Sequence, residues 1–281
     1  MDPATAFPLY DQISLPTFSI RIAVLILLVS LPLAALAGFT AGSSRRRRLP
    51  ADKNASDLSM GETTLGGLLA LLGLLLAFTF GNALSLSQDR KSLIIEEAAA
   101  LGTAFLRADY LSEPGRTELQ TAILDYTKTR IVPDTGSFAS MEQAQAFLEE
   151  SLQAQARLWP LTVELTADPL PPAMKSFIAG AMNDALDSHL HRTRVLSNPV
   201  SDVTQSMLLA VALTALFLIG YRSGMKGQPL SWQTFVFSGF LFLVMVVIVD
   251  TQRGNEGLIR VDDSALRSTV VDMERTLAGR A

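Results

Sequence analysis

Four long apolar blocks divide the chain, and each predicts a helix that crosses a lipid bilayer. A transmembrane helix needs roughly 20 mainly apolar residues to span a hydrocarbon core about 30 Å thick. The blocks run from about Phe18 to Phe39, Leu65 to Leu86, Met207 to Tyr221 and Trp232 to Val249. The third block is short, but the polar residues from Asp202 onward can begin the same helix. The pattern therefore predicts four transmembrane helices.

The long segment between the second and third blocks is also helical in pattern. No stretch of it alternates like a β-strand over more than a few residues. Apolar residues that step by four, three and four mark one face of a helix, and the first such set is Ile94, Ala98, Leu101 and Phe105. Pro160 is expected to kink or end a later helix of this segment. The predicted fold class is all-α, with a helical extramembrane domain inserted between spans 2 and 3.

The second block shows no break where it leaves the membrane. From about Leu65 to about Leu111 there is no proline, so a continuous helix roughly 70 Å long is predicted. About half of it would cross the membrane, and the apolar face of the projecting half needs a partner, for which the downstream helices are the obvious candidates.

A narrow apolar seam in the C-terminal tail predicts one more amphipathic helix. The seam steps by four, three and four, and Ser264 is expected to cap the helix that carries it. Such a helix packs on its own chain or on a neighbour. The seam residues are Leu266, Val270, Met273 and Leu277.

The pattern divides the chain into four parts. Residues 1–64 hold the N-terminal segment, the first span and a basic loop. Residues 65–206 hold the second span and the helical domain into which it continues. Residues 207–250 form the third and fourth spans, and residues 251–281 form the tail with its amphipathic helix.

Basic residues in the short loops predict the orientation in the membrane. Arg45–Arg48 follow the first span and Arg222 and Lys226 follow the third, whereas the segment before Arg21 has no lysine or arginine. Loops rich in these residues stay in the cytoplasm. A bacterial inner-membrane protein is therefore expected, with its N-terminus, middle domain and C-terminus outside the cytoplasm. A cleaved signal peptide is the weaker alternative, because the basic run follows the first apolar block so closely.

Composition narrows the function classes. The 281 residues are 49% apolar with a mean hydropathy of +0.31, and a net charge of −4 is spread along the chain. No basic footprint for nucleic acid is present. The chain has no cysteine and only two histidines, so no cofactor and no metal are expected, although Asp184, Asp187 and His191 share one helix face. Without a nucleophile–base pair, metal motif or phosphate loop, an enzyme is not expected.

Polar residues follow one side of the second span as it leaves the membrane. Asn82, Ser85 and Asp89 lie on the same face as Phe78. An asparagine in apolar surroundings needs a hydrogen-bond partner or water. The face is thus either a helix–helix contact, a solvated surface, or the lining of a pore in which Phe78 forms an apolar constriction. Glu96 and Glu97, adjacent in sequence, are interpreted as a charged surface.

Glycines at three positions of the second span favour close helix packing there. Small residues let helix backbones approach one another inside a membrane. The three are Gly66, Gly67 and Gly73.

Several short motifs resemble those of the bacterial bestrophin-like domain family, over about Gly61 to Leu266. The motifs are Leu72 to Phe80, Asp89-Arg90, Ile95 to Ala98, Arg107 to Asp109, Tyr126 with Arg130, and the closing set Asp250, Arg253, Gly257 to Ile259 and Val261. The resemblance implies kinship with bestrophins, which are pentameric anion channels with four spans per subunit and a neck lined by apolar residues of the second span. It also implies a cytosolic helical domain, whereas the charge pattern places that domain outside.

Together these observations predict an oligomeric passive ion channel of bestrophin-like type, with anions as the first candidate by resemblance. The lipid bilayer, further copies of the chain and small ions are the expected partners. The pore-lining candidates are Phe78, Phe80, Asn82, Ser85 and Asp89. The alternative is a non-conducting membrane scaffold or sensor that binds a partner through its extramembrane helices.

Overall fold

A computed structural model describes residues 19–48, 61–132, 141–167, 169–196, 202–253 and 262–280. These residues form helices and contain no strand, which confirms the predicted all-α class. In chain order the α-helices are α1 (Ile20–Arg47), α2 (Glu62–Arg107), α3 (Gly115–Thr129), α4 (Met141–Leu165), α5 (Pro172–Leu196), α6 (Asp202–Lys226), α7 (Trp232–Arg253) and α8 (Ser264–Ala278). A short 3₁₀ helix, Ala108–Tyr110, follows α2.

Each of the four predicted spans corresponds to one helix, apart from Phe18 at the start of the first span, which lies outside the described residues. By length and composition, the helices able to cross a membrane are Ile20–Arg47, Glu62–Tyr110, Thr204–Lys226 and Trp232–Gln252. The helix of the third span, α6, begins at Asp202, as the polar residues before the apolar block predicted. The second helix is unbroken for 46 residues, because no proline or turn interrupts it.

The chain divides into two compact units, and the division falls inside α2, between Leu86 and Ser87. The span unit contains α1, the first part of α2, α6 and α7. The helical unit contains the second part of α2, with α3, α4, α5 and α8.

Glycines bring α1 and α6 into backbone contact inside the span unit. A Cβ added at Gly38 would overlap the carbonyl oxygen of Phe217, and one at Gly42 would overlap that of Tyr221. These contacts advance by four residues along both helices, so α1 and α6 run parallel. Small residues four apart allow such an approach in a membrane, where packing rather than water exclusion holds helices together.

The glycines of the second span make no close contact with another helix of the described chain, so close packing at them stays a prediction for contacts between copies. A Cβ at Gly66, Gly67 or Gly73 would meet no described atom within 4 Å. The contact forms instead between α1 and α6, where glycines face each other on both helices. Spacing along one helix does not reveal whether a facing helix also offers small residues.

The helical unit has a core built around the predicted apolar face of α2. Ile94, Leu101 and Phe105 are all buried there. The seam of α8 packs into the same core through Leu266, Val270 and Met273, so the tail helix packs on its own chain. The other helices contribute Leu119, Ile123 and Tyr126 from α3, Leu158 from α4, and Ile178 and Met182 from α5.

Pro160 does not end its helix, so that the kink alone stays a prediction, and the prediction that Ser264 caps the tail helix was wrong. Pro160 lies inside α4, which continues to Leu165, and the side chains of Leu158 and Thr162 on either side of the proline are buried. Ser264 is the first residue of α8 rather than its cap, and its hydroxyl donates to Asp262 at 2.8 Å.

Candidate functional site

One face of α2 is left uncovered by the rest of the described chain. Phe78 is 69% exposed, and Asn82, Ser85 and Asp89 are exposed as well. At about 100° per residue these four side chains fall within an arc of about 60°. We call them the exposed polar face. Phe80 lies about 200° from Phe78 around the helix, so it occupies a different face although it is also partly exposed.

The apolar part of α2 is less covered than those of the other three span candidates. Within its most apolar window only 11% of the residues are buried, compared with 39% in the last candidate. A helix in a bilayer tolerates apolar exposure toward lipid, but Asn82 in the same helix needs water or a polar partner. The exposed polar face is therefore a candidate contact with water or with another copy of the chain.

A buried ion network lies at the centre of the helical unit, and sequence reasoning missed it. Glu97 is fully buried, and its two carboxylate oxygens accept hydrogen bonds from Arg130 Nε and Arg192 Nη1, each at 2.7 Å. Arg192 also reaches Asp263 Oδ1 at 3.4 Å. Two carboxylates and two guanidiniums make the network neutral, which offsets the cost of burying each charge.

The network ties together four separate parts of the chain. Glu97 comes from α2, Arg130 follows α3, and Arg192 comes from α5. Asp263 precedes α8, and its second oxygen accepts the backbone N–H of Val132 at 2.9 Å. Glu97 thus binds α5 and the end of α3 directly, and Arg192 extends the network to the start of α8.

The interpretation of Glu97 as surface charge was wrong, and the sequence held a signal against it. Glu97 lies three residues after Ile94 and four before Leu101. That spacing places it on the apolar face of α2, whereas Glu96 is turned about 100° away and is exposed. A charged residue at a position of the apolar stripe predicts a buried ion pair rather than a solvated face.

The possible metal ligands on α5 are not brought together. Among the residues that the structure describes, no three acidic or histidine side chains are placed to share a metal ion. Asp187 instead accepts a hydrogen bond from Asn183 at 2.9 Å. The buried histidine of this helix is His189, which is 2% exposed, whereas His191 is exposed.

His189 makes the stability of the helical unit depend on pH. Burial, together with the nearby positive charge of Arg130, lowers the pKa of His189 from 6.5 to about 3. The unfolded chain therefore binds a proton that the folded chain does not, and stability falls as the pH drops below about 6.5. Between pH 6.5 and pH 5 this one histidine is expected to cost about 2 kcal/mol. Melting temperatures measured across this range should fall less steeply in a His189→Gln variant.

The matched control for that experiment is His191→Gln, on the same helix. It removes a histidine that is exposed, and its melting temperatures should follow the wild-type pH profile. Equal slopes for wild type and His189→Gln would contradict the buried, neutral state of His189.

These features define an all-α membrane protein in which one long helix runs from the second span into a helical unit inserted before the third span. The chain belongs to the Bestrophin-like domain family, whose model matches residues 29–266. No curated protein sequence matches it.

Two solved structures share the fold. Both are single-residue variants of a bacterial bestrophin homologue from Klebsiella pneumoniae. Each is 12% identical to this chain with a TM-score of 0.62. The first match covers 89% of this chain and 97% of the other, and the second covers 90% and 99%. At 12% identity the similarity establishes the fold alone. The chemistry is therefore inferred from this chain's own residues.

Proposed function

We propose that several copies of this chain assemble around α2 and form a passive ion channel. The observation that carries the proposal is the exposed polar face, on which Phe78, Asn82, Ser85 and Asp89 follow one another toward the end of the span. Polar side chains on the membrane part of a helix are costly against lipid and are stabilised by a water-filled path. Membership of a family that carries the bestrophin name supports the same function.

An apolar stripe on the second part of α2 supports the assembly. Ile95 is 59% exposed and Leu106 is 62% exposed, and Ala99 between them is exposed too. These residues lie about 100° from the exposed polar face. Exposed apolar stripes on extramembrane surfaces mark interaction sites. A second copy that covers the stripe would leave the polar face directed at the axis of the assembly.

Phe78 is the proposed constriction of the path. It lies one turn from Asn82, and a ring of phenylalanines can close a pore by excluding water. The family resemblance also implied Phe80 as a neck residue, but Phe80 lies about 200° from Phe78 around the helix and so belongs to a different face. We therefore assign Phe80 to lipid or to a subunit contact.

The charges along α2 favour cations over the anions that the family resemblance implies. Asp89 and Glu96 are both exposed on or beside the polar face, whereas Lys91 points away from it. Arg107 lies at the same angle around α2 as the polar face, but its guanidinium is engaged by Phe177. The guanidinium lies 4.0 Å from the centre of the Phe177 ring and donates a hydrogen bond to the Phe177 carbonyl oxygen at 2.8 Å. Rings of carboxylates select cations.

The orientation that we propose keeps the short basic loops in the cytoplasm of a bacterial inner membrane. Because α1 and α6 run parallel, Arg45–Arg48 and Arg222 lie at the same side of the span unit. Both basic loops therefore favour one orientation. The N-terminus, the helical unit and the C-terminus would then lie outside the cytoplasm.

Phe78→Ala is expected to increase ion flux roughly tenfold, because the smaller side chain opens the apolar constriction to water. A tenfold increase in rate corresponds to a barrier lowered by about 1.4 kcal/mol. Purified protein is placed in liposomes, and potassium and chloride fluxes are measured separately. Phe80→Ala is the matched control and should conduct like the wild type. A greater flux of potassium than of chloride would support the cation assignment, and the reverse would support the anion preference.

The absence of ion flux through both wild type and Phe78→Ala, in vesicles shown to hold the folded oligomer, would contradict the proposed channel function. The alternative, a scaffold or sensor that binds a partner through the apolar stripe of Ile95, Ala99 and Leu106, would then be tested by partner capture.

A further inference from the structure

The carboxyl ends of α1 and α6 carry six cationic side chains at one side of the span unit. The glycine contacts keep the two helices together up to their last turns, where Ser43 meets Gly224. The cations are thus gathered by helix packing and not by any attraction of their own. This basic end cluster consists of Arg45, Arg46, Arg47, Arg48, Arg222 and Lys226.

The two helix ends interlock through Arg46. Its guanidinium lies against Gly227, where a Cβ would overlap it. Gly227 has a φ of 68°, a conformation that glycine adopts without strain. The N–H of Gly227 bonds to Gly224 and that of Gln228 bonds to Ser223, so α6 ends in a Schellman motif. The end of α6 is therefore shaped to receive the side chain of Arg46 from α1.

The positive charge of the cluster is poorly balanced. Among the described residues, its acidic partner is Glu62, which pairs with Arg222 and lies 3.9 Å from Lys226. Six positive charges less one leaves five, and the partial charges of two helix carboxyl ends remove about one more. The Nε of Arg222 is buried without a hydrogen-bond partner in the described part of the chain. An anion would reduce this repulsion and accept hydrogen bonds from the exposed cationic groups of Arg45–Arg48 and Lys226.

We propose that the basic end cluster binds the phosphodiester headgroup of an anionic phospholipid. The cluster terminates two helices that are long and apolar enough to cross a bilayer, which places it at the headgroup level. Tyr221 lies five residues before the end of α6, and its ring stacks on that of Phe217 with 6.3 Å between the ring centres, as expected of an aromatic residue at the interface. Guanidinium groups match phosphate oxygens in geometry. This inference requires membrane insertion and is independent of ion conduction.

The test compares an anionic with a zwitterionic lipid that has the same acyl chains. Phosphatidylglycerol or phosphatidylcholine with the same acyl chains is titrated into the purified full-length protein in a neutral detergent, and the melting temperature is recorded. Phosphatidylglycerol is expected to raise it to saturation, whereas phosphatidylcholine is not. An Arg46→Gln/Lys226→Gln variant should bind phosphatidylglycerol about thirtyfold more weakly, since two cations near a membrane surface are lost. An Arg46→Lys variant keeps the charge and most of the response.

The matched control is Arg116→Gln/Lys128→Gln, which removes one half-buried and one exposed cation from the helical unit. It should respond to phosphatidylglycerol as the wild type does. Equal stabilisation by both lipids, or equal weakening in both double variants, would overturn the proposal. So would a full shift produced by inorganic phosphate alone, which would identify a soluble anion. If the cluster variant does not fold, native mass spectrometry of the wild type tests the proposal instead. Retention of phosphatidylglycerol in preference to phosphatidylcholine supports it, and equal retention of the two lipids overturns it.

Discussion

Glu97→Gln is expected to lower the stability of the helical unit by about 3–5 kcal/mol at neutral pH, the usual cost of removing one partner from a buried ion pair. The amide keeps the shape of the carboxylate but removes its charge. Arg130 and Arg192, both within 2.7 Å of Glu97 in the wild type, would then remain buried with a single acid, Asp263, to balance them. Thermal unfolding, with limited proteolysis of the helical unit as a second readout, measures the loss.

Glu96→Gln is the control for this prediction. It makes the same chemical change at the neighbouring residue, which is exposed, and should melt within a few degrees of the wild type. If Glu97→Gln and Glu96→Gln melted together, the network would not contribute to stability. Because total stability is about 5–15 kcal/mol for a typical protein, the expected loss at Glu97 is a large share.

Gly220→Leu is expected to separate α1 from α6 at a cost of about 3 kcal/mol, the upper end for overpacking. A Cβ at Gly220 would overlap the carbonyl oxygen of Ala35 and lie 2.9 Å from the backbone nitrogen of Phe39. These are backbone atoms, so no side-chain rotation relieves the overlap. Thermal unfolding in detergent should show a lower melting temperature.

Gly239→Leu in α7 is the matched control, because a Cβ there meets no described atom within 4 Å. It should melt close to the wild type. Equal melting temperatures for Gly220→Leu and the wild type would show that the α1–α6 contact does not hold the span unit together. Gly220→Leu also separates the two helix ends that form the basic end cluster, so this variant should weaken phosphatidylglycerol binding as well.

The candidate site shows the limit of reasoning from one helix at a time. Periodicity was sufficient to place Phe78, Asn82, Ser85 and Asp89 on one face of α2, because the angle between residues on a regular helix is fixed. The same rule separates Phe80 from them. Whether the face borders water, lipid or another copy depends on a partner surface, and the assignment to a pore stays a prediction.

The sequence by itself determined the helices and the face of α2 that is buried. Apolar block length selects membrane spans, and the spacing of Ile94, Leu101 and Phe105 selects a core face, since both follow from the geometry of a single helix. Only the tertiary structure decided that Glu97 is buried between Arg130 and Arg192, and that Gly38 faces Phe217 on α6. These are contacts between residues far apart in the chain, and their energy depends on a partner that local spacing does not specify.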